Sequence, residues 1–156
     1  MNGYKPRVID SELTGRMRVM GAMLIEGPKA VGKTQTASQL AQSVFRFDLD
    51  DAAIAALSTH PESLFSRPTP ILFDEWQEAP GLWNHVRRAV DDNPGKGLYI
   101  LTGSATPRDT SSMHSGAGRI GRIRMRPMSL FESGHSDGSV SLASILDGSS
   151  TPGSQF

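Results

Sequence analysis

Residues 23–37 read MLIEGPKAVGKTQTA. A short apolar run stops at glycine, passes through Gly-Pro and Gly-Lys-Thr, and continues into residues that favour a helix. Gly27-Pro28-Lys29-Ala30-Val31-Gly32-Lys33-Thr34 satisfies the eight-position pattern G-x-x-x-x-G-K-[ST]. Glycines let backbone N–H groups turn inward around phosphate oxygens, and a helix starting near Lys33 directs its positive end at the anion. Lys33 can reach the β- and γ-phosphates, and the Thr34 hydroxyl can ligate Mg²⁺. In a chain this long the pattern arises by chance with a probability on the order of one per cent. The strand before it and the helix after it lower that further. The stretch therefore reads as a phosphate loop, with Gly27, Pro28, Lys29, Ala30, Val31, Gly32, Lys33, Thr34 and Gln35 as the nucleotide-binding residues.

Outward from this loop, strands and helices alternate. AMLIEG (22–27) has the short apolar composition of a buried strand. KTQTASQLAQSV (33–44) sets Ala37, Leu40, Ala41 and Val44 at i, i+3, i+4, i+7, one apolar helical face. FRFDLDD (45–51) alternates Phe45, Phe47 and Leu49 with polar neighbours, the period of a half-buried strand. A helix is expected from Asp51 to about Pro61, where proline interrupts it. PILFDE (70–75) is a second apolar run; GLWNHVRRAVDD (81–92) puts Leu82, Val86, Ala89 and Val90 on one helix face. LYILTGSA (98–105) is a third buried strand, and GRIGRIRMRPMS (118–129) a last one. The first 20 residues suit a leading helix or loop packed on the main domain. This alternation predicts a three-layer α/β domain with a mostly parallel sheet.

ILFDE supplies a second part of a site. An apolar strand delivers Asp74 to its C-terminal edge, where ligands bind in open α/β sheets, and a carboxylate there can hold Mg²⁺. Glu75, one residue on, is placed to orient or deprotonate a water attacking the γ-phosphorus. A solvated strand end is the plain alternative; the phosphate loop upstream favours the functional one.

GPKAVGKT, ILFDEWQ, LYILTGSA and SGAGRIGRIRMRPMSLFE together resemble the N-terminal ATPase domain of a prokaryotic AAA+-type family, in the family's order and over about residues 5–133. The resemblance implies a five-stranded sheet of order 5-1-4-3-2 with helices on both faces. It implies ATP and Mg²⁺ as ligands, Lys33 and Thr34 as the Walker A pair, and Asp74 and Glu75 as Walker B. By the same resemblance Thr102 or Ser104 reads the γ-phosphate. Arg119 matches the family's arginine, with Arg122 as a second candidate; if that finger acts in trans, the partner is a second copy in a homo-oligomer. The resulting site is Lys33, Glu75, Arg119 and Ser104 for catalysis, with Thr34 and Asp74 for the metal. Members of the family usually continue into an uncharacterised, nuclease-like C-terminal domain, so the expectation here is an ATPase domain over 1–132 followed by a Ser/Gly-rich tail or truncated linker over 133–156. No helical lid with a second sensor arginine is evident after residue 133.

Arg119, Arg122, Arg124 and Arg126 have three readings: transition-state neutralisation, contact with nucleic-acid phosphates, or a solvated strand face. Four dispersed histidines lack metal-ligand spacing, and Trp76 and Trp83 read as packing residues. TGSA lacks the G-x-S-x-G elbow of a serine hydrolase.

The bulk numbers fit. A length of 156 residues suits one ordinary domain. Sixteen Lys and Arg balance sixteen Asp and Glu, which argues against a globally basic nucleic-acid wrapper. The absence of cysteine removes disulfides and thiolate chemistry and suits the cytosol. Neither a secretory h-region nor an apolar stretch of membrane-spanning length occurs, so a cytoplasmic protein without membrane association is expected. The leading functional expectation is Mg-dependent ATP binding and hydrolysis. The rivals are a nucleotide-binding module or truncated remnant without turnover, a P-loop kinase and a nucleic-acid-associated ATPase. A GTPase is disfavoured, since no [NT]-K-x-D motif occurs.

Overall fold

A computed structural model describes residues 3–79, 81–103 and 116–148. Val8–Pro127 form one compact unit, and the two ends of the chain, up to Arg7 and from Met128 onward, form a second.

The larger unit is built on five parallel strands in the order β2-β3-β4-β1-β5: β1 Ala22–Glu26, β2 Ser43–Arg46, β3 Ile71–Asp74, β4 Tyr99–Gly103 and β5 Ile120–Arg124. Read from the other edge, this is the expected order 5-1-4-3-2. The three inner strands are apolar along their length because both faces are covered. Ala22, Leu24, Ile71, Phe73, Tyr99 and Leu101 face one core, shared with α3 (Asp51–Thr59), α4 (Glu62–Phe65) and α5 (Leu82–Asp92). Met23, Ile25, Leu72 and Ile100 face the opposite core, shared with α1 (Ile9–Met17) through Leu13 and Met17 and with α2 (Lys33–Ser38) through Ala37. This period-two partition makes the three layers.

Two local readings are corrected. The helix after the phosphate loop is α2, ending at Ser38 with a further turn to Ala41, so Val44 is not on its face; Val44 lies in β2 and is 46% exposed. The Pro70 carbonyl accepts from the backbone N–H groups of Gln42 and Ser43, drawing that segment into the sheet before the helix can continue. β2 then ends at Arg46, and Leu49, expected in a half-buried strand, sits in a turn 72% exposed. There Asp50 caps α3 by accepting from the Ala53 N–H at 2.9 Å.

In the smaller unit, α6 (Leu130–Ser133) and α7 (Leu142–Leu146) each begin with a serine capping box, at Ser129 and Ser141. Arg7 and Glu132 form a shielded ion pair at 3.0 Å. No helix among the described residues is long and apolar enough to cross a membrane.

Candidate functional site

Parallel pairing brings the carboxyl ends of β1, β3 and β4 to one edge of the sheet, with Asp74 opposite Thr102 and Glu26 opposite Gly103. The phosphate loop leaves β1 at this edge. Its backbone takes left-handed conformations at Ala30 (φ 64°) and Gly32 (φ 97°), the second immediately before α2. Gly27 passes so close to the residue that follows β5 that a Cβ there would lie 2.2 Å from the Met125 carbonyl oxygen, so the loop's first glycine is required by packing as well as by its turn. Lys33 is 6% exposed, and its ammonium donates to the carbonyls of Gly27 at 3.1 Å and Pro28 at 2.8 Å. An ammonium has three N–H donors, so one remains for a ligand oxygen.

Asp74 is the centre of the cluster. It is 5% exposed, and its Oδ1 accepts from the Thr34 hydroxyl at 2.8 Å and from the Thr102 hydroxyl, itself 1% exposed. Hydroxyl donors from α2 and β4 thereby offset the desolvation of a buried carboxylate. Glu75 follows with φ 52°. Among the described residues only Ala30 and Glu75 combine a side chain with positive φ, and both belong to this site, where such strain concentrates. The left-handed residue turns the chain into a 3-10 turn, Trp76–Glu78, and the Glu75 carboxylate accepts from the Gln77 amide.

Burial pushes the pKa of Lys33 below its ordinary value, while the carboxylates of Glu75 and then Asp74 pull it back up. The donor set suits Mg²⁺. It consists of hard oxygens, one hydroxyl and one carboxylate already in contact, and among the described residues no group of three His, Cys, Asp or Glu side chains forms a complete protein cage. Mg²⁺ is commonly held by one or two protein oxygens together with substrate phosphates and water.

Lys33, Thr34, Asp74 and Glu75 thus meet at one edge. Of the two strand-end candidates, Thr102 reaches Asp74; Ser104 lies outside the described residues. Arg119 is not brought to the loop within the chain. It precedes β5, pairs with Asp91 at 2.5 Å, and its carbonyl accepts from the Ala22 N–H at the start of β1. The length of β1, roughly 16 Å at 3.3 Å per residue, separates it from the loop. Arg122 reaches Glu26 at 3.8 Å and lies over the Trp83 ring at 5.3 Å. Trp76 and Trp83 are buried against one another, as packing residues. Gln77 escaped the sequence reading because its approach to Glu75 depends on the left-handed turn, which no periodicity encodes.

A parallel sheet of this order, with the phosphate loop after β1 and an acidic pair after β3, defines a P-loop nucleotide-binding α/β domain. A family model described as AAA domain matches residues 20–133, well over half of the chain, and the protein belongs to that family of AAA-type P-loop ATPases. No curated protein matches the chain.

Proposed function

We propose that the domain binds ATP with Mg²⁺ and hydrolyses it at the β2-β3-β4-β1-β5 sheet edge. The observation that carries this reading is the convergence of the Thr34 and Thr102 hydroxyls on Asp74 beside the Lys33 ammonium. Residues Gly27 to Gln35 wrap the phosphates, with Lys33 on the β- and γ-phosphates through its remaining N–H donor. Thr34 and Asp74 hold Mg²⁺, which when bound neutralises phosphate charge. Glu75 accepts a proton from water as the water oxygen bonds to the γ-phosphorus. The bond from the γ-phosphorus to the β–γ bridging oxygen breaks, and ADP and phosphate leave. Thr102 keeps Asp74 oriented, and Ser104, two residues on, is the other candidate for contact with the γ-phosphate.

Arg119 fits a role only at a neighbouring subunit's nucleotide, since its own loop lies at the opposite end of β1. Binding of an ATP analogue and release of phosphate, each with and without Mg²⁺, test the proposal. The expected result is Mg-dependent turnover that Lys33→Ala abolishes together with tight binding. Equal turnover in Lys33→Ala refutes it.

A further inference from the structure

The Gln77 side chain stands between the acidic pair and the end of β4. It follows Trp76, which is 5% exposed and packs on Trp83 with ring centroids 5.3 Å apart. The turn carrying both is closed by the Glu78 N–H donating to the Glu75 carbonyl at 3.0 Å and the Ala79 N–H to the Trp76 carbonyl at 3.1 Å. A carboxylate only accepts, so the amino side of the Gln77 amide must face Glu75, and its Nε2 donates to Glu75 Oε2. That orientation turns Oε1 inward, where it is buried without a hydrogen-bond partner among the described residues. A buried amide oxygen left unsatisfied costs about 1–3 kcal/mol, so Gln77 is not optimised for stability alone. The amide fits there because residue 103 is glycine: a Cβ on Gly103 would lie 2.6 Å from Gln77 Oε1 and 2.9 Å from Trp76 Nε1.

We propose that Gln77 is a positioning residue for hydrolysis, holding one oxygen of the Glu75 carboxylate so that the other is presented to the attacking water. The inference rests on the reading of Glu75 as proton acceptor. Gln77 touches neither phosphate nor metal and acts only through Glu75. Glu75 leaves β3 with a left-handed backbone, and among the described residues its carboxylate is held at the far end by the Gln77 N–H donor. Gly103 belongs to the same device, because any side chain there would push the amide away.

The test compares wild type, Gln77→Met, Gln77→Glu, Gly103→Ala and Glu75→Gln. Gln77→Met keeps the volume and removes the donor; Gln77→Glu keeps the shape and sets two carboxylates against each other. Steady-state ATPase kinetics, ADP affinity and thermal denaturation are measured on each. The expected result is a kcat lower by about tenfold to a hundredfold in both Gln77 variants and lower in Gly103→Ala, since a small misplacement of a reacting group has that effect. KM and the ADP Kd should stay within about threefold of wild type, the signature of an interaction used after binding. Adding Gln77→Met to Glu75→Gln should lower turnover no further. A kcat unchanged in both Gln77 variants, a parallel loss of ADP affinity, or additive effects with Glu75→Gln overturns the inference alone. Full turnover in Glu75→Gln overturns the reading beneath it and this inference with it.

Discussion

Replacing Gly27 with alanine tests whether the phosphate loop is anchored on β5. The added Cβ would stand 2.2 Å from the Met125 carbonyl oxygen, against an ordinary contact of 3.4–4 Å, so loop and strand must separate by more than 1 Å. The obstructing atom is backbone, and the Met125 N–H donates to the Glu26 carbonyl at 2.7 Å, so the Met125 backbone at the end of β5 cannot retreat without straining that bond. Overpacking of this kind costs about 1–3 kcal/mol. Loss of the hydrogen bond adds about 1 kcal/mol. A side chain at φ 157°, at the margin of the positive-φ region, adds about 1 kcal/mol more. The sum, about 3–5 kcal/mol, is a large fraction of a domain's stability and corresponds to a fall in Tm of about 6–20 °C. Gly81→Ala is the control: its φ is +92° but nothing lies within 4 Å, so only the backbone term remains, about 1–2 kcal/mol. Thermal denaturation of both variants, followed by circular dichroism, gives the comparison. ADP affinity should fall only in Gly27→Ala, whose loop is displaced. A Tm loss in Gly27→Ala no larger than in Gly81→Ala refutes the anchoring argument.

Lys33 gives a pH prediction. Its folded-state pKa lies below 10.5 because of burial, so between the lowered value and 10.5 the unfolded chain binds more protons than the folded one. Its contribution to stability therefore rises with pH through the lowered value and levels off near 10.5. Phosphate restores the charge, so ADP binding takes up a proton in that window and weakens as pH rises; calorimetry in buffers of different ionisation enthalpy shows this, and a flat profile identical to that of Lys33→Met contradicts it. Arg119 gives a second, through its distance from its own loop. Specific ATPase activity should climb with protein concentration and drop on Arg119→Ala with ADP affinity intact; activity indifferent to both removes the finger role.

The sheet was legible because strands buried on both faces are apolar throughout: MLI, ILF and YIL each stop at a glycine or an acid within a residue or two of the observed ends. The strand order came from the family resemblance, and the parallel register bears it out. The end of α2 was not legible, since Leu40, Ala41 and Val44 keep helical spacing while the Pro70 carbonyl, distant in sequence, takes the N–H groups of Gln42 and Ser43. At the site, Lys33, Thr34, Asp74 and Glu75 were readable from their motifs. The contact of Thr102 with Asp74 needed the pairing of Ile71 with Tyr99, a tertiary fact. The position of Arg119 followed from strand direction, which its motif does not carry.

Hydrolysis at the Asp74–Glu75 edge is put to the test by phosphate release from Mg-ATP in wild type and in Glu75→Gln, with nucleotide binding measured on the same samples. The expected result is turnover in wild type and a loss of at least about a hundredfold in Glu75→Gln, in the range for a positioned proton acceptor, with binding retained. Turnover that survives the substitution, or wild-type protein that binds ATP and releases no phosphate at any concentration, contradicts it.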